Sequence, residues 1–278
     1  MQKTQEISSV FVQKVICNFF LTMILYRRSK TMTALYGPII HLIFQGGDIF
    51  YMASFYRKYK HGLLIAIYSV IYVVLFHLLE MREVRGYHVI YSELDNLIPF
   101  CEYFIVPYLL WFPYLLLSVL WFIFFNPDKK EYYRLTFNLI LGMTIFLVVS
   151  WLYPNIQHLR PHVFVRDNAF VHAVQRLYSI DTPTNILPSI HVFNSLAVYM
   201  AITDCKKLKN NKIVRYGSLI LTVSIVLSTM FLKQHSVIDV SMGTTLALLG
   251  YLLFYPQRAA EPYQKPSFAD SRQNHNRF

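Results

Sequence analysis

The 278-residue chain is 55% hydrophobic and 17% aromatic, holds charged residues to 15% and has a mean hydropathy of +0.38, which excludes an ordinary soluble domain. Its formal net charge of +11 does not point to nucleic acid, because the Lys and Arg residues fall in short loops between apolar runs rather than along one soluble face. Anionic lipid headgroups are the partners that this pattern fits.

Taken in order, residues 9–26 are apolar but interrupted by Gln13, Lys14 and Asn18, and Arg27, Arg28 and Lys30 follow at once. A signal peptide carries its charges before the apolar region, so an interfacial helix fits better. Residues 33–55 contain Gly37-Pro38, Gln45-Gly46-Gly47 and Asp48 and lie between basic clusters at 27–30 and 57–60. With both clusters in the cytoplasm the segment between them does not cross, and residues 1–56 read as an extension of interfacial helices.

From Arg57 onward the pattern predicts an all-α integral membrane domain over 57–257, a bundle of six transmembrane helices. The first span, 62–79, is uncharged apart from His77 and long enough for a hydrocarbon core of about 30 Å. A polar linker of 80–102 precedes the second span, 103–125, which Asn126-Pro127-Asp128-Lys129-Lys130 closes. Spans at 135–153, 187–203, 214–232 and 238–256 complete the set. Residues 258–278, rich in Pro, Gln, Asn and Ser, read as a disordered cytoplasmic tail. Cys17, Cys101 and Cys205 lie far apart, with no CxxC and no Cys/His cluster at metal spacing, and read as small packing residues.

Orientation follows from the basic residues of alternate connections. Residues 57–61, 126–134, 204–215 and the tail carry 15 Lys and Arg, against 6 in 80–102, 154–186 and 233–237. The richer set belongs in the cytoplasm. Arg160, His191 and His235 then meet at the outer face, together with the 80–102 linker.

What gathers there is a short inventory: Arg160-Pro161 after the third span, Ser189 and His191 at the start of the fourth, and Lys233, His235 and Asp239 between the fifth and sixth. It suits phosphoryl transfer without a metal or a cofactor. Charge spreads over the phosphoryl oxygens in the transition state and calls for cations and hydrogen-bond donors, here Arg160, Lys233 and Ser189. A neutral imidazole in the right tautomer can attack phosphorus, and His235 has Asp239 four residues on to accept its other ring proton. His191 is then free to protonate the departing alkoxide. All of this requires the two imidazoles to share one phosphorus-sized site.

At these residues the chain resembles the type 2 phosphatidic acid phosphatase superfamily, whose motifs are Lys-(six)-Arg-Pro, Pro-Ser-Gly-His and Ser-Arg-(five)-His-(three)-Asp. Here they stand as Tyr153-(six)-Arg160-Pro161, Pro188-Ser189-Ile190-His191 and Ser228-Thr229-(five)-His235-(three)-Asp239. The resemblance implies a six-helix bundle with its site at the outer end, His235 as nucleophile, Asp239 as its orienting partner, His191 as general acid and base, and Arg160 and Ser189 on the phosphate. Tyr153, Ile190 and Thr229 depart from the motifs, so two phosphate-binding cations are missing, with Lys233 available to replace one. A Pro-Ser-x-His with His-x-x-x-Asp and no upstream Arg is similar to the inositol phosphorylceramide and sphingomyelin synthases.

The expected function is therefore hydrolysis of a lipid phosphate ester through a phosphohistidine, in the plasma membrane with the site outside. Transfer of a lipid headgroup to a second alcohol is the alternative. A non-enzymatic lipid transporter or scaffold is a further one, which draws on the missing cations. Trp151 and Tyr153 read as an interfacial aromatic belt. His158 and His162 read as solvated. Glu93 and Asp95 could meet a cationic or hydroxylated headgroup, but acidic residues in an outer loop are ordinarily just solvated. Lipid identity, acceptor and oligomeric state are not set by the sequence.

Overall fold

The computed structural model describes residues 54–255. The extension predicted for 1–56, up to residue 53, and the tail predicted for 258–278 lie outside the described residues. The chain divides into two compact units, Met1–Lys60 and His61–Phe278. Of the first only residues 54–60 are described, and they are helical.

In the second unit the polar-to-apolar boundaries of the sequence become helix ends: α1 (Leu63–Glu80), α2 (Leu94–Leu97), α3 (Ile105–Phe124), α4 (Lys129–Leu152), α5 (Ala169–Ile180), α6 (Ile190–Asp204), α7 (Lys212–Phe231) and α8 (Val237–Phe254). Side chains of Asp128, Asn168, Asn211 and Ser236 accept the first amides of α4, α5, α7 and α8, which fixes where each apolar run enters its helix. Two short parallel strands, β1 (His88–Val89) and β2 (Asn155–Ile156), pair His88 with Asn155 and Val89 with Ile156. They tie the 80–102 linker to the segment that carries Arg160.

Length and composition give five candidate spans among the described residues, ending at Glu80, Phe124, Leu152, Phe231 and Phe254, rather than the six predicted. The exception is the predicted span 187–203. Its helix, α6, has 15 residues, which is about 22 Å at the α-helical rise and short of a hydrocarbon core of about 30 Å. Leu187, Pro188 and Ser189 do not join it, because they belong to the loop that enters the site. α6 instead sits inside the bundle, packed against α3, α4, α7 and α8. Small residues let its neighbours close in: a Cβ at Gly142 of α4 would meet the ring of Phe193 at 2.0 Å. The first turn of α6, the end of α7 and the start of α8 come together at one end of the bundle, under the 80–102 and 154–186 connections.

Candidate active site

The site is built around the turn between α7 and α8. The amide of Lys233 donates to the Met230 carbonyl (2.9 Å) and that of Gln234 to the Thr229 carbonyl (3.0 Å), a helix-ending pattern whose pivot, Lys233, has φ 53°. Three successive carbonyls that α7 leaves open are then taken by three separate segments: Phe231 by the Cys101 amide (3.0 Å), Leu232 by the Tyr178 hydroxyl (2.6 Å) and Lys233 by Gln157 Nε2 (3.0 Å). The chain reverses over this clasp and presents His235 just before the Ser236 cap of α8.

His235 Nδ1 lies 2.5 Å from Asp239 Oδ2. The pair closes across the entry to α8 rather than along one face of it, because the helix begins only at Val237. An ionised carboxylate only accepts, so this contact fixes the ring proton on Nδ1 and leaves the Nε2 lone pair outward. Outward means toward His191, whose Nδ1 is 3.3 Å from His235 Nε2. The two imidazoles therefore share one site but touch, and a phosphoryl group has to part them rather than enter a ready gap. His191 occupies the first turn of α6 and is walled by α3, with the rings of Trp111 and Tyr108 at 4.4 and 4.8 Å.

Ser189, fully buried, is held by its amide to the Asp239 carbonyl (3.0 Å), so the two motif loops are bolted together through backbone. Its Oγ is buried without a protein partner, an orphan hydroxyl two residues from His191. Arg160 reaches the same turn from the β2 side. One guanidinium nitrogen donates to Gln234 Oε1 (2.5 Å), another to the Tyr178 carbonyl (3.3 Å), and the plane lies over the Tyr178 ring at 4.5 Å. Its Nε is buried and unpartnered. Burial lowers the Arg160 pKa from its usual value while Asp181, Tyr178 and Tyr108 oppose the shift.

Residues 132–262 match the model of the PAP2 superfamily. This part of the chain is similar to that superfamily. No curated protein and no solved structure matches the chain. The match supports phosphatase or phosphotransferase chemistry on phosphoric esters, and the matched stretch contains Arg160, Ser189, His191, His235 and Asp239.

Not every expected residue joins this constellation. Lys233 turns away: its Nζ donates to the backbone carbonyl of Asp95 at 2.6 Å, and burial lowers its pKa against the opposing pull of the Asp95 charge. Thr229, at the PAP2 motif's arginine position, is fully buried and its hydroxyl returns to the Val226 carbonyl (2.7 Å), so a cation restored there would have to repack the helix end. Tyr153 stacks on His88 at 4.0 Å, and His158 and His162 are exposed.

Other residues matter more than the sequence suggested. Asn155, fully buried, accepts the amides of Ile186 (2.8 Å) and Leu187 (3.1 Å) and so shapes the loop leading into Ser189. Its place in the first polar residues after the third predicted span is the only signal it leaves in the sequence. Asp181 takes the Tyr108 hydroxyl at 3.0 Å, and burial raises its carboxyl above the usual range although Tyr108, His235 and Arg160 pull the other way. Asp95, expected in solvent, is 2% exposed.

Proposed function

We propose that this protein is a membrane lipid phosphatase that hydrolyses a lipid phosphate ester through a phosphohistidine intermediate on the extracytoplasmic side. The observation that carries the reading is the continuous chain Asp239 Oδ2, His235 Nδ1, His235 Nε2, His191 Nδ1, at 2.5 and 3.3 Å. In the first step His235 Nε2 attacks phosphorus, the P–N bond forms as the P–O bond to the lipid alkoxide breaks, and protonated His191 gives its proton to that alkoxide. In the second, water attacks phosphorus, neutral His191 takes the water proton, the P–N bond breaks and phosphate leaves. Arg160 and the free hydroxyl of Ser189 hold the phosphoryl oxygens, where charge spreads in both transition states.

A lipid rather than a soluble ester is supported by the five helices long and apolar enough to cross a membrane, one end of whose bundle carries the site. The extracytoplasmic orientation rests on the surplus of Lys and Arg in the connections at the other end.

Transfer to a second alcohol is favoured by a separate observation. Lys233 is engaged with Asp95 and Thr229 is buried, which leaves Arg160 beside the turn that carries His235. A phosphodiester, which carries less charge than a monoester, suits such a site. The deciding experiment gives the purified protein a labelled lipid phosphate and a labelled phospholipid, each with and without inositol or diacylglycerol. Inorganic phosphate as the labelled product supports hydrolysis, and a new phosphodiester supports transfer. Vanadate should inhibit either, and turnover that survives in a folded His235→Ala variant would rule out the phosphohistidine.

A further inference from the structure

We infer that Asp95, which lies outside the PAP2 match, is the positioning residue that holds His235 in its attacking geometry; the inference rests on the proposed role of His235. The short helix α2 delivers Asp95 to the entry of α8. Oδ1 accepts the amide of Val237 (2.8 Å), and Oδ2 accepts the Ser236 hydroxyl (2.6 Å) and the Ser92 amide (2.8 Å). Its backbone carbonyl accepts Lys233 Nζ (2.6 Å). Three of these four bonds land on residues 233, 236 and 237, which bracket His235 on both sides.

The physical effect follows from what each bond orients. The Val237 amide is the first of α8 and has no partner within the helix, so a buried carboxylate completes it and complements the positive end of the helix. The Ser236 hydroxyl accepts the Ile238 amide (3.2 Å) while donating to Asp95, so the carboxylate sets which way the cap points. Because the His235–Asp239 contact spans this same entry, a shift of the cap changes the His235 Nδ1 geometry directly. Asp95 touches neither imidazole. It acts through residues 233, 236 and 237.

The test uses the full chain in detergent with a lipid phosphate, comparing wild type, Asp95→Ala and Asp95→Asn. Asp95→Ala should lower kcat about 10- to 100-fold, as misplacement of a reacting group by about an ångström does, with KM changed less than about twofold. Asp95→Asn, whose amide oxygen still accepts from Val237 while its NH2 can donate to the Ser236 hydroxyl but turns a donor on the Ser92 amide, should recover part of that loss. Wild-type kcat in Asp95→Ala, or a KM that rises as much as kcat falls, would overturn the inference. A second readout does not depend on turnover: the rate at which diethyl pyrocarbonate modifies His235, mapped by mass spectrometry against exposed His158. That rate should change in Asp95→Ala and move part of the way back in Asp95→Asn. An inert wild type sinks the phosphatase reading alone, whereas an unchanged His235 rate in Asp95→Ala sinks the role given to Asp95.

Discussion

Gly243 of α8 passes so close to Ser189 that a Cβ on it would lie 2.6 Å from the Ser189 carbonyl oxygen. One helical turn earlier, the Asp239 carbonyl accepts the Ser189 amide at 3.0 Å. α8 thus grips the Pro188-Ser189 loop at two successive heights, and no side chain fits between them. Gly243→Ala should push Ser189 and His191 away from His235 and lower kcat by about 10-fold or more. Steady-state kinetics beside a melting curve would check this; a variant as active as wild type would mean that the loop yields without disturbing the imidazoles.

Asp239 fixes the His235 tautomer, so Asp239→Asn keeps the shape of the site and loses the chemistry. An amide can donate to Nδ1, which moves the ring proton to Nε2 and removes the attacking lone pair. By analogy with tautomer loss in other His–Asp pairs, activity should drop on the order of 10³- to 10⁴-fold with the fold retained. Turnover and circular dichroism measured together would test it, and a fall of only a few fold would contradict the tautomer argument.

Asp181 gives a pH signature. Its folded-state pKa is raised, chiefly by burial, above the ordinary carboxylate value. Its contribution to stability is therefore complete below that ordinary value and is lost as pH rises through the raised one. Asp181→Asn mimics the neutral acid. It should melt with wild type at low pH and above it once wild-type Asp181 ionises. Melting temperatures across the acid range supply the comparison, and parallel curves would remove Asp181 as the source.

Lys233 adopts a left-handed backbone with φ 53°, where glycine has no Cβ penalty. Both Lys233→Gly and Lys233→Ala lose the ammonium contact to Asp95, so their difference isolates the backbone. The glycine variant should be more stable by about 1 kcal/mol. Denaturant titration would show it, and an alanine variant of equal stability would mean that the turn has relaxed.

What the sequence made legible are residues whose chemistry sits at fixed short offsets. Ser189 with His191 and His235 with Asp239 could be paired without any tertiary contact, and topology alone brought Arg160 to the same end. The supports could not be read this way. Asp95 looks like an acidic loop residue because its partners, Lys233, Ser236 and Val237, lie across the fold. Asn155 and Gln157 act on carbonyls and amides of distant loops, contacts that leave no pattern in local hydropathy. Five of the six expected spans are candidate spans among the described residues, and α6 is the one its helix length leaves out. An apolar stretch measures lipid contact only when its helix faces lipid, and α6 is surrounded by protein.

The triple clasp on the end of α7 has a consequence for engineering. Because Cys101, Gln157 and Tyr178 each take one of three adjacent carbonyls, the loops at that end of the bundle form a single matched set. Transplanting a loop that lacks the Gln157 or Tyr178 side-chain donor would leave a main-chain acceptor next to His235 unanswered, so chimaeras at this end of the bundle should keep both donors with α7.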